Sequence, residues 1–226
     1  MMHIGLFGGT FNPVHIGHLS AARQVKKRFC LDKIYIIPAA IPPHKEPAHI
    51  VDAADRSEMI RLAVLNNPDL MDFVEVSDVE LRRKGTSFTI DTVSYFATIL
   101  PEKTEFYFIL GCDAFLEIHT WKAYAELFER VSFVVMSRPH VQHLSTDAMW
   151  ETCEKYLKHR ISNSYQRSDD KACFTHEKKK PVYFFNVTPM DISSTMIRHY
   201  VRLKKDICPF VNEHVEQYIK KKGLYL

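Results

Sequence analysis

His3-Ile4-Gly5-Leu6-Phe7 runs directly into Gly8-Gly9-Thr10-Phe11-Asn12-Pro13-Val14-His15-Ile16-Gly17-His18-Leu19. The first five residues read as an apolar strand. Gly17–Phe29 reads as a helix with Leu19, Ala22 and Val25 on one stripe. Between them lies a glycine-rich turn. The whole chain has seven glycines, and four fall within the first 17 residues, at 5, 8, 9 and 17. Glycine concentrated in this way points to special backbone geometry or close ligand approach at the turn.

The glycine spacing is neither the GxGxxG of a dinucleotide-binding turn nor the phosphate loop that ends in Gly-Lys-Ser/Thr. The setting is nonetheless comparable, because a turn leaves the C-terminal end of a strand and feeds a helix N-terminus. Unpaired N–H groups and the positive dipole end favour an anion there. His15 and His18 can both aim ring N–H groups at that anion. Fixed donors of this kind stabilise the charge that spreads over non-bridging oxygens in a transition state at phosphorus. Two histidines at i,i+3 also resemble half a metal site, but no third ligand lies near them in sequence.

Outward from this turn, strand and helix alternate. Lys33–Pro38 is a β-branched strand, the proline-rich stretch 39–54 a loop, and Asp55–Asn66 a helix. Phe73–Val76, Phe106–Leu110, Val131–Met136 and Val182–Val187 read as further strands. Helices are expected at Thr89–Leu100, Ala114–His119, Ala123–Glu129, Ser193–Lys204 and Phe210–Lys222. Such alternation implies an α/β fold: a parallel sheet with helices on both faces, plus a smaller C-terminal helical part. A single domain over 1–226 is expected, interrupted by an excursion at about 140–180. Thr146–His159 of that stretch suits a helix, whereas 162–180 is polar with little periodicity and reads as a mobile excursion, with a small ordered subdomain as the alternative.

Composition narrows the function. With 226 residues, 46% hydrophobic and 25% charged, the chain is neither disordered, collagenous nor a coiled coil. No apolar run approaches the ~18 residues of a membrane span, and the first residues show no basic region or cleavage site of a signal peptide. Residues 151–180 carry eight Lys/Arg against five Asp/Glu, which accounts for the whole net charge of +3. This local surplus is not the broad basic footprint of a nucleic-acid binder. Five scattered cysteines suit a reducing, cytoplasmic setting rather than a disulfide framework. Cys153, His159, Cys173 and His176 are too irregularly spaced to read as a zinc site.

Five segments carry a resemblance. They are His15-Ile16-Gly17-His18, Pro42-Pro43-His44-Lys45, the Glu80–Thr92 stretch with Ser87-Phe88-Thr89, Phe108–Asp113 with Trp121 after it, and Ile192–Arg198. In this order they resemble the bacterial nicotinate-nucleotide adenylyltransferase family of the nucleotidylyltransferase superfamily, over roughly four fifths of the chain. The resemblance implies a Rossmann-like fold and transfer of AMP from ATP to nicotinate mononucleotide, giving deamido-NAD and pyrophosphate. It assigns His15, His18, Lys45 and Arg198 to catalysis. Gly8, Gly9, Thr10, His15, His18, Gly111, Asp113, Arg138, Ser193, Ser194 and Arg198 would bind ATP. Lys45, Thr89 and Trp121 would bind nicotinate mononucleotide.

Mg²⁺ is expected on the ATP phosphates, with no protein-held metal. ATP and nicotinate mononucleotide are the expected partners, with no nucleic acid or membrane, and homo-oligomer formation is left open. Departures from the family pattern are Asn12 in place of a frequent Asp, Phe88 in place of Tyr, and His140 after Arg138-Pro139. Within the enzyme class the alternatives are nicotinamide mononucleotide as the preferred acceptor, or phosphopantetheine. Outside it, the alternative is a nucleotide-sensing regulator that does not turn over.

Overall fold

The computed structural model describes residues 1–41, 50–83, 85–137, 146–168 and 172–226. The fold is a mostly parallel central sheet with helices. It divides into two compact units, one made of Met1–Phe7 and Phe88–Pro189, the other of Gly8–Ser87 and Met190–Leu226.

The first unit holds most of the sheet. Strand β1 (Met2–Gly9) starts here and pairs in parallel with β4 (Thr104–Gly111), from Met2 opposite Thr104 to Phe7 opposite Ile109. β4 pairs in parallel with β5 (Ser132–Ser137), and β5 in parallel with β8 (Val182–Asn186). These are near-continuous apolar runs, and all six residues of β5 are buried, as a sheet covered on both sides requires. Helices α4 (Thr89–Ile99), α5 (Cys112–Phe115) and α6 (Tyr124–Arg130) accompany the strands. Phe115 is the centre of the core, with the rings of Phe128, Phe133, Phe184 and Tyr156 tilted around it at 5.7–6.4 Å.

The stretch read as an excursion is structured in its described part. Helix α7 (Thr146–Tyr156) matches the helical reading of 146–159, and it passes into a π-helical turn, Leu157–Ile161. Beyond it, β6 (Gln166–Ser168) and β7 (Cys173–Thr175) add two antiparallel strands beside β8, so the sheet is not wholly parallel. A few apolar anchors set among charges suffice. Tyr165 and Phe174 are fully buried, Trp150 packs on Phe174 and Phe184, and the Tyr165 hydroxyl donates to the Lys180 carbonyl at 3.0 Å.

In the second unit, β2 (Lys33–Pro38) pairs in parallel with β3 (Val74–Val76). Helix α1 (Ile16–Phe29) buries Leu19, Ala21, Ala22 and Val25, and carries Lys26, Lys27 and Arg28 where the dipole is negative. Helix α2 (Ala53–Leu65) ends before Asn67-Pro68, and Pro68 opens the short α3 (Pro68–Met71). The C-terminal helices α8 (Ser194–Arg202) and α9 (Glu213–Lys222) belong to this unit and do not form a separate part. Tyr218 on α9 donates to the Asp55 carboxylate on α2 at 2.8 Å.

Candidate active site

The second unit brings together the glycine turn, the two imidazoles and the start of α8. His15 is the N-cap of α1 with extended backbone, and its carbonyl accepts from the N–H of His18 at 2.9 Å. The His15 and His18 rings stack at 3.7 Å with 30° between planes, and Phe11 meets His18 edge-on at 5.0 Å. His15 is buried, 4% exposed, while His18 is half-buried. The backbone N–H of His15 donates to Nδ1 of His18 at 3.3 Å. This bond selects the neutral tautomer with its proton on Nε2, the nitrogen suited to donate to an oxyanion.

The glycines of the turn make room for rings. A Cβ on Gly17 would sit 3.0 Å from Nδ1 and 3.1 Å from Cε1 of His15. A Cβ on Gly9 would sit 3.0 Å from the Phe11 ring, and Phe11 itself holds a left-handed φ of 49°. Backbone strain of this kind, roughly 1–2 kcal/mol for a non-glycine residue, is typical of functional turns.

Helix α8 is fastened to the residues just before His15. The Ser194 hydroxyl donates to the Pro13 carbonyl at 2.9 Å, and Nη1 of Arg198 donates to the Asn12 carbonyl at 2.9 Å. Nη2 of Arg198 donates to the Thr195 hydroxyl at 3.3 Å. Ser193 caps the helix, its hydroxyl accepting from the N–H of Met196 at 3.1 Å. The hydroxyls of Ser193, Ser194 and Thr195 are thus all engaged within the protein. The N–H groups of Ser194 and Thr195 have no intrahelical acceptor and remain the anion-seeking feature of this helix start. Burial lowers the Arg198 guanidinium from its ordinary value, and Tyr225 works in the opposite direction. The group remains a cation at neutral pH.

In the first unit, Gly111 caps α5 at the end of β4, and Asp113 is exposed in the first turn. The Asp113 carboxylate folds back toward the α-carbon of Gly111, so a side chain there would require the exposed carboxylate to swing aside. Thr89 opens α4. Trp121 follows the 3₁₀ turn Ile118–Thr120, half-buried, its ring edge-on to Phe108 at 6.0 Å. Lys122 lies 4.7 Å over the Phe88 ring and bonds both Asp91 oxygens at 3.0–3.1 Å. Lys45 and Arg138 lie outside the described residues.

Three residues that sequence reading did not single out for a role support the second unit's site. Asn12, noted only as a departure, is buried; its side-chain oxygen accepts from the Tyr225 hydroxyl at 2.9 Å and from the Val51 N–H at 3.3 Å. Burial raises the Tyr225 phenol, against the pull of Arg198 and Arg56. Arg56 is 1% exposed. Its signal in the sequence is position: it stands on the apolar stripe of α2 with Met59, Ile60, Ala63 and Val64, where a cation is out of place.

The arrangement suits an anion better than a metal, since imidazoles, a guanidinium and helix-start N–H groups converge in it. The cytidylyltransferase-like family model matches residues 6–200. A protein of Desulfatibacillum aliphaticivorans named "Probable nicotinate-nucleotide adenylyltransferase" is 42% identical over 227 residues, covering 100% of both chains. One of the same name from Geotalea daltonii is 38% identical, covering 99% of this chain and 98% of its own. In structure, the Plasmodium falciparum nicotinic acid mononucleotide adenylyltransferase complexed with NaAD superposes with a TM-score of 0.74 at 18% identity, covering 100% of this chain and 98% of that one. The chain belongs to the cytidylyltransferase-like family, and within it to the nicotinate-nucleotide adenylyltransferases.

Proposed function

We propose that the protein transfers AMP from ATP to nicotinate mononucleotide, forming deamido-NAD and pyrophosphate in NAD biosynthesis. The observation that carries this reading is the fastening of Ser194 and Arg198 to the Pro13 and Asn12 carbonyls, next to the His15–His18 pair. One helix start, one guanidinium and two imidazoles are thereby available to a single triphosphate.

In the reaction, a 5′-phosphate oxygen of nicotinate mononucleotide attacks the α-phosphorus of ATP. The bond from that phosphorus to the bridging oxygen of the β-phosphate breaks, and pyrophosphate leaves. The nucleophile is already an anion, so neither a general base nor a covalent intermediate is required. Catalysis is positioning and charge neutralisation. His18 donates through Nε2 to non-bridging oxygen, His15 holds the His18 ring, and Arg198 and Lys45 neutralise phosphate charge.

Gly8, Gly9, Thr10, Ser193 and Ser194 are assigned to the ATP phosphates, Gly111 and Asp113 to ribose, and Arg138 to the adenine side. Thr89 and Trp121 are assigned to the nicotinate ring and its carboxylate. Nucleotidyltransferases of this kind generally use divalent metal ions. We assign Mg²⁺, carried on the ATP phosphates, where it supplies charge neutralisation. Five free cysteines suit the cytoplasm, and no helix among the described residues is long and apolar enough to cross a membrane.

The test is pyrophosphate release from ATP with nicotinate or nicotinamide mononucleotide, with the dinucleotide identified by mass. A kcat/KM at least about tenfold higher for nicotinate mononucleotide is expected, since one full charge separates the acceptors. Equal or reversed preference defeats the acceptor assignment. ATP binding without pyrophosphate release defeats the enzymatic reading.

A further inference from the structure

We propose that Arg56 is a positioning residue for this reaction, one that locks the Gly8-Gly9-Thr10 turn to the end of β2 and to the approach to α2. The inference rests on the function proposed above for that turn. Four hydrogen bonds leave this one guanidinium, and each ends on a backbone carbonyl. Nη1 donates to Thr10 at 2.8 Å, Nη2 to Ala39 at 2.6 Å and to Ala40 at 3.2 Å, and Nε to Val51 at 3.0 Å.

The identity of the acceptors gives the arrangement its meaning. Thr10 ends the Gly8-Gly9-Thr10 turn. Ala39 and Ala40 follow β2, and Val51 precedes α2, so the turn, the end of the strand and the approach to the helix are bound to the same side chain. Neighbouring bonds tie the same places: the Ala39 N–H donates to the Gly9 carbonyl at 2.9 Å, and the Val51 N–H to the Asn12 side chain at 3.3 Å. A planar fork with five donors can serve three chain segments in fixed directions, which an ammonium cannot.

The chemistry also argues against a purely stabilising role. None of the four bonds goes to a carboxylate, and burial lowers the guanidinium from its ordinary value. A buried cation is costly, and an apolar side chain of similar volume would fill a core at less cost. What the fork supplies is a fixed place for the turn to which the electrophile is assigned, set against the end of β2 and the approach to α2. In a reaction driven by orientation, a misplacement of about 1 Å can lower the rate by about a hundredfold.

The experiment compares Arg56→Lys, which keeps the charge but not the fork, with wild type. Pyrophosphate release gives kcat and both KM values per folded molecule, and thermal melts give the folded fraction. The expected result is a kcat lower by about tenfold or more, with the KM for ATP within about threefold. Millimolar guanidinium is expected to restore part of the kcat of Arg56→Ala, and methylammonium to restore none.

Wild-type kcat in folded Arg56→Lys overturns the proposal, because a residue that only stabilises would change the melting temperature alone. Should both variants fail to fold, side-chain proton exchange on the wild type decides. The Nε–H and Nη–H protons of Arg56 are expected to be protected together, and free exchange at any of them overturns the proposal. A wild type that releases no pyrophosphate with either mononucleotide defeats the functional reading, and the exchange measurement still judges the lock.

Discussion

Ser194 and Pro13 are 181 residues apart in sequence, yet the serine hydroxyl donates to the proline carbonyl at 2.9 Å. With the bond from Arg198 to Asn12, it makes the start of α8 and the turn before His15 one structure. Ser194→Ala removes the donor and leaves a half-buried carbonyl unsatisfied. The expected cost is about 1 kcal/mol of stability, with kcat/KM for ATP lower by about five- to tenfold, since the helix start loses its register against the turn. Paired melting and kinetic measurements check both. Unchanged ATP kinetics would detach α8 from the phosphate site.

Gly17 separates stability from activity. Alanine is the better helix former by up to roughly 1 kcal/mol, but its Cβ would meet the buried His15 ring at 3.0 Å, so the ring must shift to admit it. The gain in propensity offsets part of that cost, and Gly17→Ala should melt within a few degrees of wild type. A kcat lower by about tenfold in a protein still folded at the assay temperature is the expected outcome. Full activity would show that the stacked pair tolerates displacement.

Trp121 is assigned to the pyridine ring of the acceptor. Base–aromatic stacking is worth about 1–3 kcal/mol, so Trp121→Ala should raise the KM for nicotinate mononucleotide about tenfold. The KM for ATP should stay within about twofold. Kinetics with each substrate varied in turn distinguish this from general damage. Equal changes in both KM values would return Trp121 to a packing role against Phe108.

Alkaline pH should unfold the protein through its tyrosines. Burial raises the phenols of Tyr165, Tyr218 and Tyr225; at Tyr218, where the bond to Asp55 adds to burial, the value is pushed up to about 12. An unfolded tyrosine ionises near pH 10. Above that pH the unfolded chain has lost protons that the folded chain retains, so stability is intact below about pH 10 and falls as pH rises toward and past 12. The melting temperature should be level from pH 8 to about 9.5 and decline beyond. Tyr218→Phe should soften the decline, and a curve level to pH 11.5 would contradict the cause given.

Periodicity and punctuation carried much of the fold into the sequence reading. The apolar runs of β4 and β5 and the glycine turn before α1 announce a parallel sheet because each obeys a local rule. β6 and β7 obey none: two or three buried residues, Tyr165, Cys173 and Phe174, anchor them within a charged stretch, and only the neighbouring Trp150 and Phe184 explain why. The site divides similarly. The histidines and Ser193-Ser194 stand in contiguous motifs, whereas Asn12, Arg56 and Tyr225 act through partners up to 213 residues distant. The glycine cluster pointed to special backbone geometry or close ligand approach; at Gly17 the immediate neighbour is an imidazole.

The bond from Ser194 to Pro13 also imposes an order on the molecule's making. At a synthesis rate of about 5–20 residues per second, roughly 10–40 s pass between the emergence of the histidine turn and that of its clasp. Through that interval a growing polypeptide carries half a grip, and loop closure over such a span is a late, entropically costly event. Nascent chains on the ribosome should therefore leave ATP untouched until α8 has emerged, and the ability to hold it should arrive with that helix.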